Sequence, residues 1–169
     1  MTRIPVASVV ETLLQVYQGK LKSKNITVNT LVDEDLQITA RSGELNQVLS
    51  NLITNAMDAC SPGGRIIVKA REASTSDGDH EVEISVIDNG AGIRPEDMER
   101  IFEPFFTTKK DVGTGLGLWV VKQIVEGSSG SVRIESRTDA DEHGTTVVLS
   151  LPELEETKAR TASPTTSAA

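Results

Sequence analysis

Apolar residues recur along this chain at two different spacings. Val6, Val9, Val10, Leu13, Leu14, Tyr17 and Leu21 repeat every three or four positions, which predicts a helix over residues 6–22. Ile26 and Val28, then Leu31, Val32, Leu36 and Ile38, predict two short strands around the acidic turn Asp33-Glu34-Asp35. A strongly amphipathic helix is predicted from Ser42, a residue able to cap it, to Cys60, where Ser61-Pro62-Gly63-Gly64 stops it. Residues 65–73 and 81–88 read as strands joined by the polar loop Ser74 to Asp79. A glycine-rich turn at 89–92, a short helix from Pro95 and an irregular stretch over 102–115 follow. A second strong helix is predicted over 116–127, with closing strands at 131–137 and 145–151. Helices and strands mix without strict alternation, which predicts an α/β sandwich, one mixed sheet covered on one face by about three helices. One domain is expected over residues 1–152, followed by a Ser/Thr/Ala-rich tail, 153–169, expected to be disordered.

Composition narrows the function classes. The 169 residues suit one domain with a proper core. A formal net charge of −8 excludes a nucleic-acid partner, which needs a basic face, and opposes direct contact with anionic membranes. Any anionic ligand must therefore meet local positive charge and backbone donors. Cys60 is the only cysteine, so an internal disulfide and a thiolate-built zinc site are excluded, and a reducing, cytoplasmic setting is expected. No apolar run approaches the roughly 20 residues of a membrane span, although a longer parent protein can be membrane-anchored. The first helix opens so near Met1 that the chain is expected to be a piece of such a parent.

Four segments carry candidate chemistry. On the helix 42–60, Leu45, Val48, Leu49, Leu52, Ile53, Ala56 and Ala59 form one apolar face, opposite Glu44, Gln47, Asn51, Asn55 and Asp58. That stripe reads equally as a solvated face or as a site, for asparagine is a poor helix former whose amide oxygen suits a hard cation such as Mg²⁺. In the strand 81–88, Val82, Ile84, Val86 and Asp88 share one face, so a carboxylate on the apolar side needs a donor partner. Gly90 and Gly92 behind it allow a tight turn or a close ligand; a plain Asp-Asn-Gly turn is the alternative. Ile101 to Lys110 holds all three phenylalanines and ends in Lys109 and Lys110, a pattern fitting either a loop pinned by aromatics or a flap presenting a lysine to phosphate. Gly113, Thr114, Gly115, Leu116, Gly117 and Leu118 lead into the last helix, where exposed backbone N–H groups favour an anion.

Taken together in this order, these segments resemble the GHKL superfamily and, within it, the histidine-kinase catalytic domain. Asn51 to Ala59 resembles the N box, Asp88 to Gly92 the first glycine box, Ile101 to Lys109 the F box, Gly113 to Leu118 the second glycine box, and Gly144-Thr145 the closing Gly-Thr element. The resemblance covers about residues 6–152. It implies ATP and Mg²⁺ as cofactors, with Asn55 coordinating the metal and Asn51 supporting it. It further implies that Asp88 binds the adenine amine, helped through water by Thr145, while Gly90, Gly92 and Ile93 shape the pocket. The segment from Phe102 to Gly113, with Thr108 and Lys109, would be the ATP lid, and the glycines at 113, 115 and 117, with Thr114, Leu116 and Leu118, would wrap the phosphates. The implied reaction is transfer of the γ-phosphoryl group to a histidine. ATPases of the superfamily carry a glutamate base where Asn51 stands, and an amide nitrogen takes no proton from water, which favours a kinase over a hydrolase.

Two departures shape the expectation. The phosphoacceptor domain that normally precedes this one is absent, so autophosphorylation is not expected. His80-Glu81 mimics its motif, but at a strand entrance, and His143 also reads as structural or exposed. Asp58 stands where many sensor kinases place a basic residue, which weakens the case for phosphate contacts there. Trp119 falls on the polar side of its helix, among Lys122, Gln123 and Glu126, while Leu116, Val120, Val121 and Ile124 face inward; it reads either as a contact surface or as a ring under a neighbouring loop. The implied partners are a phosphoacceptor histidine domain and a downstream response regulator, with the isolated domain a monomer. Rival readings are an anti-sigma-type serine kinase and a non-catalytic nucleotide-sensing module.

Overall fold

A computed structural model describes residues 1–41, 43–74, 80–109 and 113–152. The expected disordered tail, the Ser42 cap, Lys110 and most of the loop after Ser74 lie outside these residues. Strand β1 (Thr2–Pro5) leads into helix α1 (Val6–Ser23), then β2 (Thr27–Val32), β3 (Gln37–Ala40) and α2 (Glu44–Ala59). Strands β4 (Arg65–Ser74) and β5 (His80–Asp88) follow, then α3 (Gly117–Gly127), β6 (Ser131–Thr138) and β7 (His143–Pro152). Five strands form one mixed sheet in the order β2-β4-β5-β7-β6, and β1 pairs with β3 in a separate antiparallel ribbon. The protein is thus the expected α/β sandwich.

Strand alternation determines which face the helices cover. Ile66, Val68 and Ala70 of β4, and Val82, Ile84 and Val86 of β5, are all buried and lie on one side of the sheet. Against them pack Leu49, Leu52, Ile53 and Met57 of α2, Val6 and Val10 of α1, and Val121 and Val125 of α3. β2 and β4 run parallel, so the chain between them must cross over, and it does so through α2. This crossover lays α2 across the sheet beside the carboxyl end of β5.

The structure departs from the sequence reading in identifiable places. The strands flanking the acidic turn join different sheets, because β3 finds its partner in the N-terminal residues Thr2–Pro5, which carry no alternation of their own. α2 starts after Gly43, which is left-handed (φ 90°) and makes no side-chain cap. The helix from Pro95 is a single 3₁₀ turn, Pro95–Asp97. On α3, Val121 and Val125 are the buried residues, whereas Leu116 and Val120 line a cavity and Trp119 is half-buried.

Candidate functional site

A cavity of about 910 Å³ opens between α2, the end of β5, the segment 101–109 and the start of α3. That is the size of a cofactor site. Of the residues singled out from sequence, Asn51, Asn55, Asp88, Gly92, Ile93, Thr108, Lys109, Gly113, Thr114, Gly115, Leu116, Gly117, Leu118 and Thr145 all line it. Two do not. Gly90 lies behind the turn, and the Phe102 ring sits under the Lys122 ammonium, 5.2 Å from its centroid.

Asp88 ends β5 on the buried face, as the register of Val82, Ile84 and Val86 demands, and is itself buried. Burial pushes its carboxyl above the ordinary value, and the backbone donors of Gly90 and Thr145 only partly offset this. The Gly90 N–H donates to Asp88 Oδ1 at 2.8 Å. A carboxylate has capacity for about four hydrogen bonds, so it can still accept from a ligand. Thr145 is its cross-strand partner on β7 and is also buried. Ser136 on β6 ties the region together: its hydroxyl accepts from the Ile93 N–H at 2.8 Å and lies 2.9 Å from both the Gly144 carbonyl and Thr145 Oγ1. Gly92 is left-handed (φ 75°), and a Cβ there would fall on the Arg137 carbonyl, so only glycine allows the turn to pass β6 this closely.

At the other end of the cavity, Asn51 and Asn55 are half-buried on successive turns of α2 and face the first turn of α3. A Cβ at Gly117 would stand 3.6 Å from Asn51 Oδ1 and from Asn55 Nδ2. Lys109 Nζ approaches Asn55 Oδ1 at 3.4 Å and donates to Asp58 Oδ2 at 2.8 Å, while Lys20 of α1 donates to Asp58 Oδ1 at 2.6 Å. Burial alone would raise the Asp58 carboxyl; hydrogen bonds and charge from Lys109 and Lys20 hold it below its ordinary value. α3 begins without a side-chain cap, so its first N–H groups open on the cavity beside Lys109. Gly115 (φ 70°) packs on the backbone of Phe105, accepting from the Phe105 N–H at 2.9 Å.

The three phenylalanines separate in role. Phe106 lines the cavity with the Arg100 guanidinium 4.4 Å from its centroid, Phe102 packs against Lys122, and Phe105 is 74% exposed. Residues not foreseen from sequence also line the site, notably Arg94 and the buried Asp97, paired at 2.9 Å. Their spacing, i and i+3 around Pro95, was the available signal. His80 is an exposed residue at the start of β5, remote from this cavity. His143 is an exposed residue, yet its Nδ1 lies 2.6 Å from the Gly90 carbonyl.

The cavity therefore has a buried carboxylate at one end and, at the other, an uncapped helix start, two amides and a lysine held by Asp58. An amine-bearing ring would suit the first and a chain of phosphates the second.

The chain is similar to known proteins in both sequence and fold. A family model described as histidine kinase-, DNA gyrase B-, and HSP90-like ATPase matches residues 40–155. The sensor histidine kinase ZraS of Salmonella typhi is 43% identical over 116 residues, covering 68% of this chain and 24% of its own length. The chain spans about a quarter of the length of such curated relatives. The nucleotide-free catalytic domain of histidine kinase ThkA superposes with a TM-score of 0.78 at 31% identity, covering 90% of this chain and 95% of that one. ThkA in complex with the response regulator protein TrrA gives 0.74 at 28% identity, covering 90% and 42%.

Proposed function

The chain belongs to the histidine kinase-, DNA gyrase B- and HSP90-like ATPase family, as the catalytic ATP-binding domain of a sensor histidine kinase, and we propose that it presents Mg-ATP to a histidine on a separate phosphoacceptor domain. In this reading Asp88 accepts the exocyclic amine of adenine, with Thr145 beside it and Gly92 and Ile93 shaping the base end. The triphosphate runs toward the first turn of α3, where Gly113, Thr114, Gly115, Leu116, Gly117 and Leu118 line the cavity, and Lys109 supplies the cation. Thr108 also lines the site, whereas Phe102 and Gly90 lie outside its lining.

Asn55 fits a Mg²⁺ ion: its amide oxygen is a hard donor already facing a cationic group, the Lys109 ammonium, at 3.4 Å. Among the described residues no cluster of three or more His, Cys, Asp or Glu side chains is placed to hold a metal, so such an ion would draw its other ligands from phosphate and water. When bound, it supplies charge neutralisation on the phosphate oxygens. Asn51, one turn earlier, supports the same edge. The protein's share of the reaction is positioning. The bond between the γ-phosphorus and the bridging oxygen breaks, ADP leaves, a P–N bond forms on the incoming imidazole, and the imidazole proton passes to solvent. Asn51 offers no base to activate water, which favours transfer over hydrolysis.

The observation that carries this reading is the convergence of Asp88, Asn55 and the α3 start on one cavity. The partner in the parent protein would be its phosphoacceptor domain and, downstream, a response regulator, as ThkA binds TrrA. Incubation with labelled Mg-ATP and a supplied phosphoacceptor domain tests it. Acid-labile, base-stable label on histidine supports the proposal; base-labile label on serine would make it a serine kinase, and binding without transfer a nucleotide sensor.

A further inference from the structure

The turn after Asp88 is held by more than its own backbone. Asn89 exchanges bonds with Arg65, its N–H donating to the Arg65 carbonyl at 3.2 Å and its Oδ1 accepting from the Arg65 N–H at 2.7 Å. The next peptide plane, Gly90–Ala91, is gripped at both ends: the Ala91 N–H donates to the Ala59 carbonyl at 3.1 Å, and His143 Nδ1 lies 2.6 Å from the Gly90 carbonyl. A carbonyl oxygen only accepts, so Nδ1 carries the proton. The preceding peptide supplies the Gly90 N–H that fixes Asp88 Oδ1. A peptide beside glycine is otherwise free to rotate, since no Cβ restricts it.

We propose that His143 is a positioning residue for nucleotide binding, its Nδ1–H locking the Gly90–Ala91 peptide and through it the orientation of the Asp88 carboxylate toward the base. This rests on the reading that Asp88 is the base end of the site. The location is specific: His143 opens β7 opposite Thr138, and Thr145, two residues on, is the cross-strand partner of Asp88. β7 thus delivers the imidazole to the back of the turn while placing Thr145 at its front. His143 lies outside the cavity lining, so it acts on the ligand only through Gly90 and Asp88.

The test compares binding of Mg-ATP and of adenosine, which lacks phosphate, to the wild type, His143→Ala, His143→Asn and His143→Asp. Asparagine keeps a donor near the place of Nδ1, while aspartate has the same shape but only accepts. His143→Ala should weaken both ligands by the same factor, about three- to tenfold, the worth of one hydrogen bond. His143→Asn should stay within about twofold of wild type by the same measure, and His143→Asp should bind no better than His143→Ala. Thermal melts of each variant keep the comparison between folded proteins. The inference fails if His143→Ala binds adenosine like the wild type, if only Mg-ATP is weakened, or if asparagine and aspartate behave alike. Asp88→Asn, run alongside, separates the two claims. If it leaves binding intact, the base-end assignment itself is wrong; if it abolishes binding while His143→Ala does nothing, only the role of His143 falls.

Discussion

Replacing Asp58 with asparagine should tighten Mg-ATP binding. Asp58 holds two lysines, Lys20 from α1 and Lys109 from the segment beside the cavity. Lys109 can serve a phosphate only by loosening its 2.8 Å bond to Asp58, so the pair competes with the ligand. The competition is modest. The Lys109 side chain is 37% exposed and that of Asp58 30%, and partly exposed pairs contribute about 0.2–1 kcal/mol. Release of the pair alone therefore improves affinity by about 1.4- to 5-fold. Removing a carboxylate near the phosphates acts in the same direction, and this part is screened by salt. Titration calorimetry at low and high salt, on Asp58→Asn alone and in a Lys109→Gln background, separates the two contributions. The gain should shrink at high salt and shrink further when Lys109 is already gone. An Asp58→Asn protein that binds Mg-ATP equally or more weakly would refute the reasoning, showing that Asp58 holds the lysine where the nucleotide needs it.

Asp88→Asn should make the nucleotide-free domain more heat-stable at neutral pH. Burial raises the folded-state pKa of Asp88 above the ordinary value, so the folded protein loses stability as pH rises from the unfolded pKa through the folded one. The melting advantage of the variant should therefore fade as pH falls to about 3.8, and a variant melting lower than wild type at neutral pH would contradict it. Leu49→Ala, in a fully buried position of α2, should cost about 2–5 kcal/mol in urea unfolding with little change in slope. Gly115→Ala must hold an alanine at φ 70° against the Phe105 backbone. The free segment escapes this strain by leaving the conformation, and restoring it on binding costs about 1–2 kcal/mol, so Mg-ATP should bind about five- to thirtyfold more weakly while the core melts unchanged, as calorimetry and thermal scans would report.

Much of this site is local and therefore legible in the chain. Asn51, Asn55 and Asp58 share a stripe because helix periodicity puts them there, and Asp88 is buried because it continues the alternation of Val82, Ile84 and Val86. The glycines 113, 115 and 117 announce a helix start by composition. What escaped the sequence reading depends on tertiary partners. β1 forms because β3 offers it an edge, and nothing in Thr-Arg-Ile-Pro alone requires a strand. Ser136 and His143 look like ordinary strand and turn residues until the β6–β7 pairing aims them at the glycine turn. The bonded pairs of the Lys20–Asp58–Lys109 network stand 38 and 51 positions apart, beyond any spacing rule. Met57 was missed on the apolar face because its neighbour Asp58 marks the polar border, yet Met57 is fully buried.

Recognition of the base of ATP rests on Asp88 and the cavity it anchors. Calorimetric titration of the wild type and Asp88→Asn with Mg-ATP tests it most directly. The wild type should bind saturably and the variant should lose about 1.5–3 kcal/mol, roughly tenfold to more than a hundredfold, the worth of a hydrogen bond to a charged group. Binding of equal strength to both proteins, or none to the wild type, would contradict it.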